Sequence, residues 1–346
     1  MHPKIRSRMF KKLSLKLALF VTMFSACLSM AFAWGSWGHQ HINYAAIFGL
    51  PVEMRTFFYN HKDFITEESV VPDLRKYTIN DKAEFNRHFI DIEGFEGVAF
   101  NDLPQTMKDA TAKYDAKFLD KMGILPWYIQ DMMEKLTKAM KDKRKSEILF
   151  IAGDLGHYLG DANMPLHTSL NHDGQLTNQK GIHSFWESQL PDYFGNTYNF
   201  QVSQAVYIPN VITGTWDIIR HTHSLVDSTL SIEKNLSETF DKKLIYKTDA
   251  NGVVIKNRFG QQTRSKEFAA AYHTALNGMV ERQMKHAIQD LSNFWYTAWV
   301  DAGKPDLTAL DPAALTNRNK KWLKKDTKLI EKGKVFGFRI ETEFEK

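Results

Sequence analysis

The chain has 346 residues, 43% of them hydrophobic, which is enough to bury the core of one large domain or two smaller ones. Its formal net charge is +5, but six of its 45 lysines and arginines lie in the first 33 residues, where there is no acidic residue. Without that segment 39 basic residues face 40 acidic ones, a formal charge of −1. This balance argues against a protein that binds duplex nucleic acid through a global positive field.

The first 33 residues have the order of an export signal. The basic residues come first, an apolar run over 17–30 follows, and the string "AFA" at 31–33 places small residues at the −3 and −1 positions of a cleavage site. The apolar run is short for a membrane span, so a retained anchor is the less favoured alternative. We therefore expect an exported protein, periplasmic or secreted, that begins at Trp34 after cleavage between Ala33 and Trp34.

The only cysteine, Cys27, also lies in this leader. An exported chain without it forms no disulfide and must gain stability in another way, for which bound metal is a candidate. The string "FSAC" at 24–27 resembles a lipoprotein cleavage site, which leaves lipid attachment open as an alternative.

Apolar residues recur every three to four positions through most of the remaining chain, which is the period of amphipathic helices. Pro126 stands in the first turn of one such segment, where proline is favoured, and Pro165 follows another, where it ends the helix. The main predicted helices cover residues 41–50, 51–65, 125–140, 145–164, 213–238 and 265–302.

Strand-like patterns are confined to residues 243–259, which predict a small β-hairpin about Asn251-Gly252. The lysine-rich segment 311–346 predicts a solvated C-terminal tail, with a short strand at "KVFGFRI" (334–340). No internal repeat and no low-complexity linker interrupts the chain. The sequence therefore predicts an all-α fold, a single mainly helical domain over 34–310 followed by the tail.

Histidines and carboxylates are spaced so that helices would bring them together. His157 and Asp161 are four residues apart, and so are His183 and Glu187, which puts each pair on one face of a helix; His167 lies between the pairs. Three imidazoles and two carboxylates form a ligand set that suits zinc. Each pair alone also fits a simpler interpretation, an ion pair that stabilises a solvated helix face.

Motifs of several other enzyme classes are absent from the sequence. The chain has no His-Glu-x-x-His helix of a zinc peptidase, no Gly-x-Ser-x-Gly nucleophile elbow and no glycine-rich phosphate loop.

Three further strings, "WGSWGH" (34–39), "VVPDLRKY" (70–77) and "NRHFIDIEGF" (86–95), follow a known pattern. Together with the spaced pairs they make the chain resemble the superfamily of trinuclear-zinc phosphodiesterases, which contains bacterial zinc-dependent phospholipase C and the single-strand-specific nucleases of fungi and plants. The matches run in order from Trp34 to about Leu190. Mature members of this superfamily begin with a tryptophan whose amino group and carbonyl bind zinc, so the predicted cleavage site and the predicted metal site support each other.

The resemblance implies three zinc ions per chain and a metal-bound water molecule as the nucleophile. One ion would be held by Asp73, His88, His157 and Asp161. A second would be held by His167, His183, Glu187 and water. The third would take the Trp34 amine and carbonyl, His39 and a bridging Asp161.

Zinc ions bound at this site would promote the hydrolysis of a phosphodiester in two ways. The metals would neutralise phosphate charge, and a water bridging the pair that shares Asp161 would have its pKa lowered toward neutrality. Asp73 and Asp161 are therefore the expected catalytic carboxylates, Asp73 either orienting or deprotonating the water or acting as a ligand only. Asp91 is expected to hydrogen-bond a ligand imidazole.

Two substrate classes, the phospholipid head group and single-stranded nucleic acid, fit the resemblance. The five-residue step from Trp34 to His39 and the "HFID" string are similar to the nucleases. The 16-residue step from His167 to His183, the glutamate at 187 and the absence of cysteine after the leader are similar to the phospholipases. We favour phospholipase C-type activity and keep the nuclease as the alternative; aromatic candidates for substrate contact are Trp37, Phe89, Tyr158, Phe185 and Trp186.

A hypothesis of another class is a non-catalytic, zinc-stabilised exported binding protein. Closed coordination at every metal would favour this hypothesis, whereas positions open to water would favour hydrolysis. No stable protein partner is implied by the sequence.

Overall fold

The computed structural model of the protein has an all-α fold, as the helical period of its apolar residues predicts. The structure describes residues 35–257, 260–311, 315, 317–333 and 335. No strand is assigned within these ranges, so the predicted fold class is confirmed. The leader, Trp34 and all of the predicted strand at 334–340 except Val335 lie outside the described residues. No helix among the described residues has both the length and the apolar character needed to cross a membrane.

The α-helices are numbered here in chain order. They are α1 (Gly35–Ala46), α2 (Val52–Asn60), α3 (Lys62–Glu68), α4 (Val71–Leu74), α5 (Lys82–Phe85), α6 (Met107–Lys113), α7 (Ala116–Met122), α8 (Leu125–Lys141), α9 (Lys145–Ala162), α10 (Ile182–Ser184), α11 (Leu190–Phe194), α12 (Val211–His223), α13 (Val226–Thr239), α14 (Lys266–Ala275), α15 (Met279–Asp301) and α16 (Asn317–Glu331). Short 3-10 helices lie at Ile47–Gly49, Asn86–His88, Ile92–Gly94, Phe100–Asp102, Pro165–Thr168, Gly195–Thr197, Lys242–Leu244 and Thr308–Leu310, and π-helices at Arg75–Ile79 and Phe185–Gln189.

Helix α9 lies at the centre of the core and packs against α1, α3, α8 and α15. Polar contacts reinforce the apolar packing: the indole Nε1 of Trp295 on α15 donates to the Ala152 carbonyl on α9, at 3.2 Å. Ser292, also on α15, donates its hydroxyl to the Ala46 carbonyl at the end of α1, at 2.8 Å. The aromatic segment 294–300 thus contributes buried core residues, among them Phe294 and Trp295.

Three of the predicted helices are each divided in two. The predicted helix 51–65 is α2 and α3, which are separated at His61. The predicted helix 213–238 is α12 and α13, with a turn at Ser224 and Leu225, where the Ser224 hydroxyl donates to the His221 carbonyl. The predicted helix 265–302 is α14 and α15. Its break falls at Asn277 and Gly278, which both have positive φ, 48° and 75°. The Asn-Gly pair is a turn signal that the apolar periodicity of the segment concealed.

In the described part of the predicted hairpin about Asn251-Gly252, which ends at residue 257, no paired strands form. Three isolated antiparallel bridges, Tyr246 to Arg264, Thr248 to Val254 and Lys256 to Gln262, connect the backbone here instead. The turn itself is present, since the Asp249 N–H donates to the Val253 carbonyl at 2.9 Å.

The lysine-rich segment was predicted to be a solvated tail. It instead contains helix α16, which packs against α2. The carboxylate of Asp326 on α16 is buried and accepts hydrogen bonds from the hydroxyls of Tyr44 and Tyr59, at 2.8 and 2.7 Å. An acidic side chain in a basic segment therefore attaches the helix to the core.

Candidate metal centre

Asp161 lies at the centre of a buried group of imidazoles. Its Oδ2 is 3.0 Å from Nδ1 of His88 and 3.3 Å from Nε2 of His157. Its Oδ1 is 3.6 Å from Nε2 of His39 and 3.8 Å from Nε2 of His167. One carboxylate thus faces four imidazoles that come from three separated parts of the chain.

The described residues contain three groups whose ligand atoms lie close enough together to hold a metal ion. They are His39, His157 and Asp161; Asp73, His88 and His157; and His167, His183 and Glu187. All eight residues belong to the set expected from the sequence. The ninth, Trp34, lies outside the described residues.

In the third group, the imidazoles of His167 and His183 lie on either side of the Glu187 carboxylate. The two oxygens of this carboxylate each lie 3.2 Å from an imidazole Nε2, one from His167 and the other from His183. His183 and Glu187 are on consecutive helical turns, α10 and the π-helix that follows it, as their four-residue spacing predicts.

Backbone carbonyls set the orientation of three imidazoles. The Nδ1 atoms of His157, His167 and His183 lie 2.8, 2.6 and 2.9 Å from the carbonyl oxygens of Ser69, His88 and His172. A carbonyl can only accept, so Nδ1 carries the proton and donates it. The neutral form of each ring then presents the lone pair of Nε2 toward the centre, as a metal ligand requires.

His88 has the opposite orientation, with Nδ1 toward Asp161 and Nε2 3.6 Å from Oε1 of Glu84. Glu84 is fully buried and accepts from Arg75, Arg87 and the Tyr158 hydroxyl. Burial raises the pKa of Glu84, but the neighbouring His88 imidazole, the hydrogen bond from Tyr158 and the charge of Arg75 lower it well below its usual range. A permanent carboxylate therefore stands behind His88.

The carboxylate behind His88 differs from the expected one, Asp91. Burial and the charge of Glu93 raise the pKa of Asp91 to about 7, and its Oδ1 has no hydrogen-bond partner among the described residues. The position of Glu84, four residues before His88 on the same helical stretch, is a sequence signal that could have identified it.

The residues present fit metal ions, because polar atoms in the centre are buried without partners. Both ring nitrogens of His39 and Oδ1 of Asp161 have no hydrogen-bond partner among the described residues. Leaving such groups unsatisfied costs about 1–3 kcal/mol each in a protein interior. Metal coordination would satisfy them, since neutral imidazole and carboxylate are the donors that divalent transition metals take.

The charges of the metal-free centre follow from these contacts. Burial lowers the pKa of His157, but the Asp161 carboxylate raises it to about 9; Glu187 has the same effect on His183, also to about 9. Burial raises the pKa of Asp161 and Glu187, but the imidazoles lower that of Asp161 well below its usual range and that of Glu187 to about 2. Burial, and then the charge of His157, lowers the pKa of His39.

Glycines on α9 allow its neighbours to approach closely. A Cβ on Gly156 would lie 1.9 Å from Oδ1 of Asn43, and one on Gly160 would lie 3.0 Å from Nδ1 of His39. The Asn43 amide donates to the carbonyls of Ile65 and Gly153, both at 3.0 Å. This contact fixes α1 against α9 and so places His39 beside Asp161.

Both π-helices adjoin candidate ligands: one begins two residues after Asp73, and the other contains Glu187. Such wide turns are frequent at functional sites. The first carries Lys76, whose Nζ lies over the rings of Tyr77 and Phe85, at 4.8 and 5.1 Å from the ring centroids. Lys76, Tyr77 and Phe85 are called the aromatic rim below.

The aromatic rim is electrostatically coupled to the centre. Burial lowers the pKa of Lys76, but Tyr77, Asp73 and Asp161 raise it overall, so the ammonium group persists. Tyr77 and Phe85 are exposed, by 45% and 54%. The rim was not among the residues expected from the sequence.

Three of the five aromatic candidates for substrate contact are buried in the core. Tyr158, Phe185 and Trp186 are at most 1% exposed. Trp37 and Phe89 are half-buried. Aromatic composition near a ligand motif does not distinguish a core ring from a surface ring, because both occur at helical spacing.

Neither a scan against models of known protein families nor a search of curated proteins finds a match for this chain. The family resemblance therefore rests on the motifs and their spacing.

Proposed function

We propose that this protein is an exported zinc-dependent phosphodiesterase of the phospholipase C type. The observation that carries the proposal is the buried Asp161 carboxylate, which faces four imidazoles, with two further carboxylates in the adjoining groups. One zinc ion for each of the three groups would supply charge neutralisation for the phosphate and a lowered pKa for a coordinated water.

The protein's own residues would arrange this chemistry. The carbonyls of Ser69, His88 and His172 hold three imidazoles with their Nε2 lone pairs inward. Asp161 would be shared between metals, and Asp73, which adjoins His88 at 3.8 Å, would complete the first set. Lys76 would contact the phosphate from the rim, because its ammonium group stays charged beside Asp73.

Single-stranded nucleic acid is the second candidate substrate, and the aromatic rim favours it. Exposed rings next to a cation are the elements with which proteins stack bases and hold the backbone of single strands. The same exposed rings could instead meet acyl chains or a head group. The two substrates are therefore separated by assay.

The proposal is tested with the exported form, purified and assayed with bis-p-nitrophenyl phosphate before and after chelation. We expect turnover that chelation abolishes and zinc restores. His167→Asn should reduce turnover strongly, whereas His286→Asn, which changes an exposed histidine outside the centre, should leave it unchanged. Absence of turnover at every zinc concentration would contradict the enzyme proposal and favour a zinc-stabilised binding protein. Phosphatidylcholine and single-stranded DNA then distinguish the two substrate classes.

The proposed N-terminal ligand has its own test. A variant that keeps one extra residue before Trp34 loses the free amine at the required position, so its zinc content should fall by about one ion per chain. The matched control carries the same extra residue after Lys346 and should keep its zinc. An extended N-terminus with undiminished zinc would show that the Trp34 assignment is wrong, while leaving the other two groups intact.

A further inference from the structure

The outward surface of α16 carries a dense array of positive charge. The exposed cations on this helix and the turn after it are Arg318, Lys320, Lys321, Lys324, Lys325, Lys328 and Lys332. The only exposed acidic side chain among them is Glu331. These eight residues are called the basic face.

The opposite side of α16 is used in packing on the domain. The buried carboxylate of Asp326 accepts from Tyr44 and Tyr59, and Trp322, Leu323 and Ile330 are half-buried against the core. The helix therefore has no free apolar side to insert into a bilayer. Whatever the basic face binds, it must bind by charge.

The basic face contrasts with the rest of the domain. Residues 34–316 contain 29 lysines and arginines but 35 aspartates and glutamates. An anionic surface would be attracted by α16 and not by that body, whose formal charge is −6 before metal binds and close to zero with three zinc ions. The attraction acts only within about a Debye length of the charges, so it is strongest when α16 faces the surface. The charge asymmetry would therefore orient the protein on such a surface.

We propose that the basic face binds the surface of membranes that contain anionic phospholipids. Clusters of four to eight lysines and arginines on a helix bind such surfaces, each cation contributing comparably. A single-stranded nucleic acid site would also need stacking rings in a groove. The basic face has no such rings, since the one tryptophan of α16, Trp322, is half-buried with Lys325 over its ring at 4.6 Å. The inference does not depend on the proposed hydrolysis.

The experiment measures cosedimentation of the full exported protein with vesicles. One set is phosphatidylcholine alone, and the other contains about one-third phosphatidylglycerol. The test variant combines Lys321→Gln, Lys324→Gln and Lys328→Gln. The control variant makes the same three changes at Lys135, Lys138 and Lys141 of α8, which are also exposed. Thermal unfolding of all three proteins shows whether each remains folded.

We expect binding to the anionic vesicles that falls roughly 100-fold in the test variant, is unchanged in the control and weakens with added salt. Equal binding to both vesicle types, no binding to either, or an equal loss in the control would overturn the proposal. So would α16-dependent binding of a single-stranded oligonucleotide without vesicle binding. Turnover of bis-p-nitrophenyl phosphate should be the same in all three proteins, which separates this inference from the proposed function.

Discussion

Asp161→Asn is expected to lower turnover by about 1000-fold or more and to remove at least one bound zinc ion per chain. Asparagine keeps the size of the side chain but removes its negative charge. It also places N–H donors against imidazoles that lie 3.0 to 3.8 Å away. Metal stabilisation of phosphate charge contributes several kcal/mol, and each 1.4 kcal/mol is about a tenfold change in rate.

Turnover and zinc content, measured on the same preparation, check this expectation. Asp290→Asn is the matched control, because Asp290 is a carboxylate on the neighbouring helix α15 that accepts from Asn163, 3.1 Å away, and does not belong to the metal groups. It should keep both zinc and turnover. If Asp161→Asn kept its full zinc content, the central role of this carboxylate would be refuted.

Removal of metal is expected to lower the unfolding midpoint by about 10 °C or more. A ligand present at 1000 times its dissociation constant stabilises the folded state by about 4 kcal/mol, and 1 kcal/mol corresponds to about 2–4 °C in a domain of this order of size. Scanning calorimetry before and after chelation measures the difference. Asp161→Asn should show a smaller difference than the unchanged protein.

The pH dependence of the metal-free protein has a definite sign. The pKa values of His157 and His183 are raised to about 9. Their contribution to the free energy of unfolding is therefore complete below about pH 6.5 and is lost as the pH rises toward 9. The pKa of Glu187 is lowered to about 2. Its contribution to the free energy of unfolding is therefore present above about pH 4.5 and is lost as the pH falls toward 2. The combined stabilisation from these three groups in the metal-free protein should therefore be largest between about pH 5 and 6.5.

Zinc binding has the opposite dependence at the alkaline end, because the imidazoles must lose their protons to coordinate. The difference in unfolding midpoint between the zinc-loaded and metal-free protein should therefore widen from pH 6 to pH 8. A difference that stays constant or narrows over this range would show that the paired imidazoles are not the ligands.

Features that depend on local geometry could be predicted from the order of residues alone. A four-residue spacing on a helix places two side chains one turn apart, which is why the pairs His157–Asp161 and His183–Glu187 were identifiable before any tertiary contact was known. The apolar period predicted the all-α class for the same reason. It also joined helices that the structure separates, for example over 265–302, where the left-handed turn at Asn277 and Gly278 interrupts a segment whose apolar period continues.

Contacts between residues that are distant along the chain could not be predicted in this way. The convergence of His39, His88 and His167 on Asp161 depends on the packing of α1 and the Asn86–His88 turn against α9, and only a resemblance anticipated it. The exposed Tyr77 and the inward Asp326 had no such guide, and Glu84 had only its four-residue spacing to His88. Spacing along a chain fixes which side chains share a helical face, whereas burial and partners depend on the packing of many distant side chains at once.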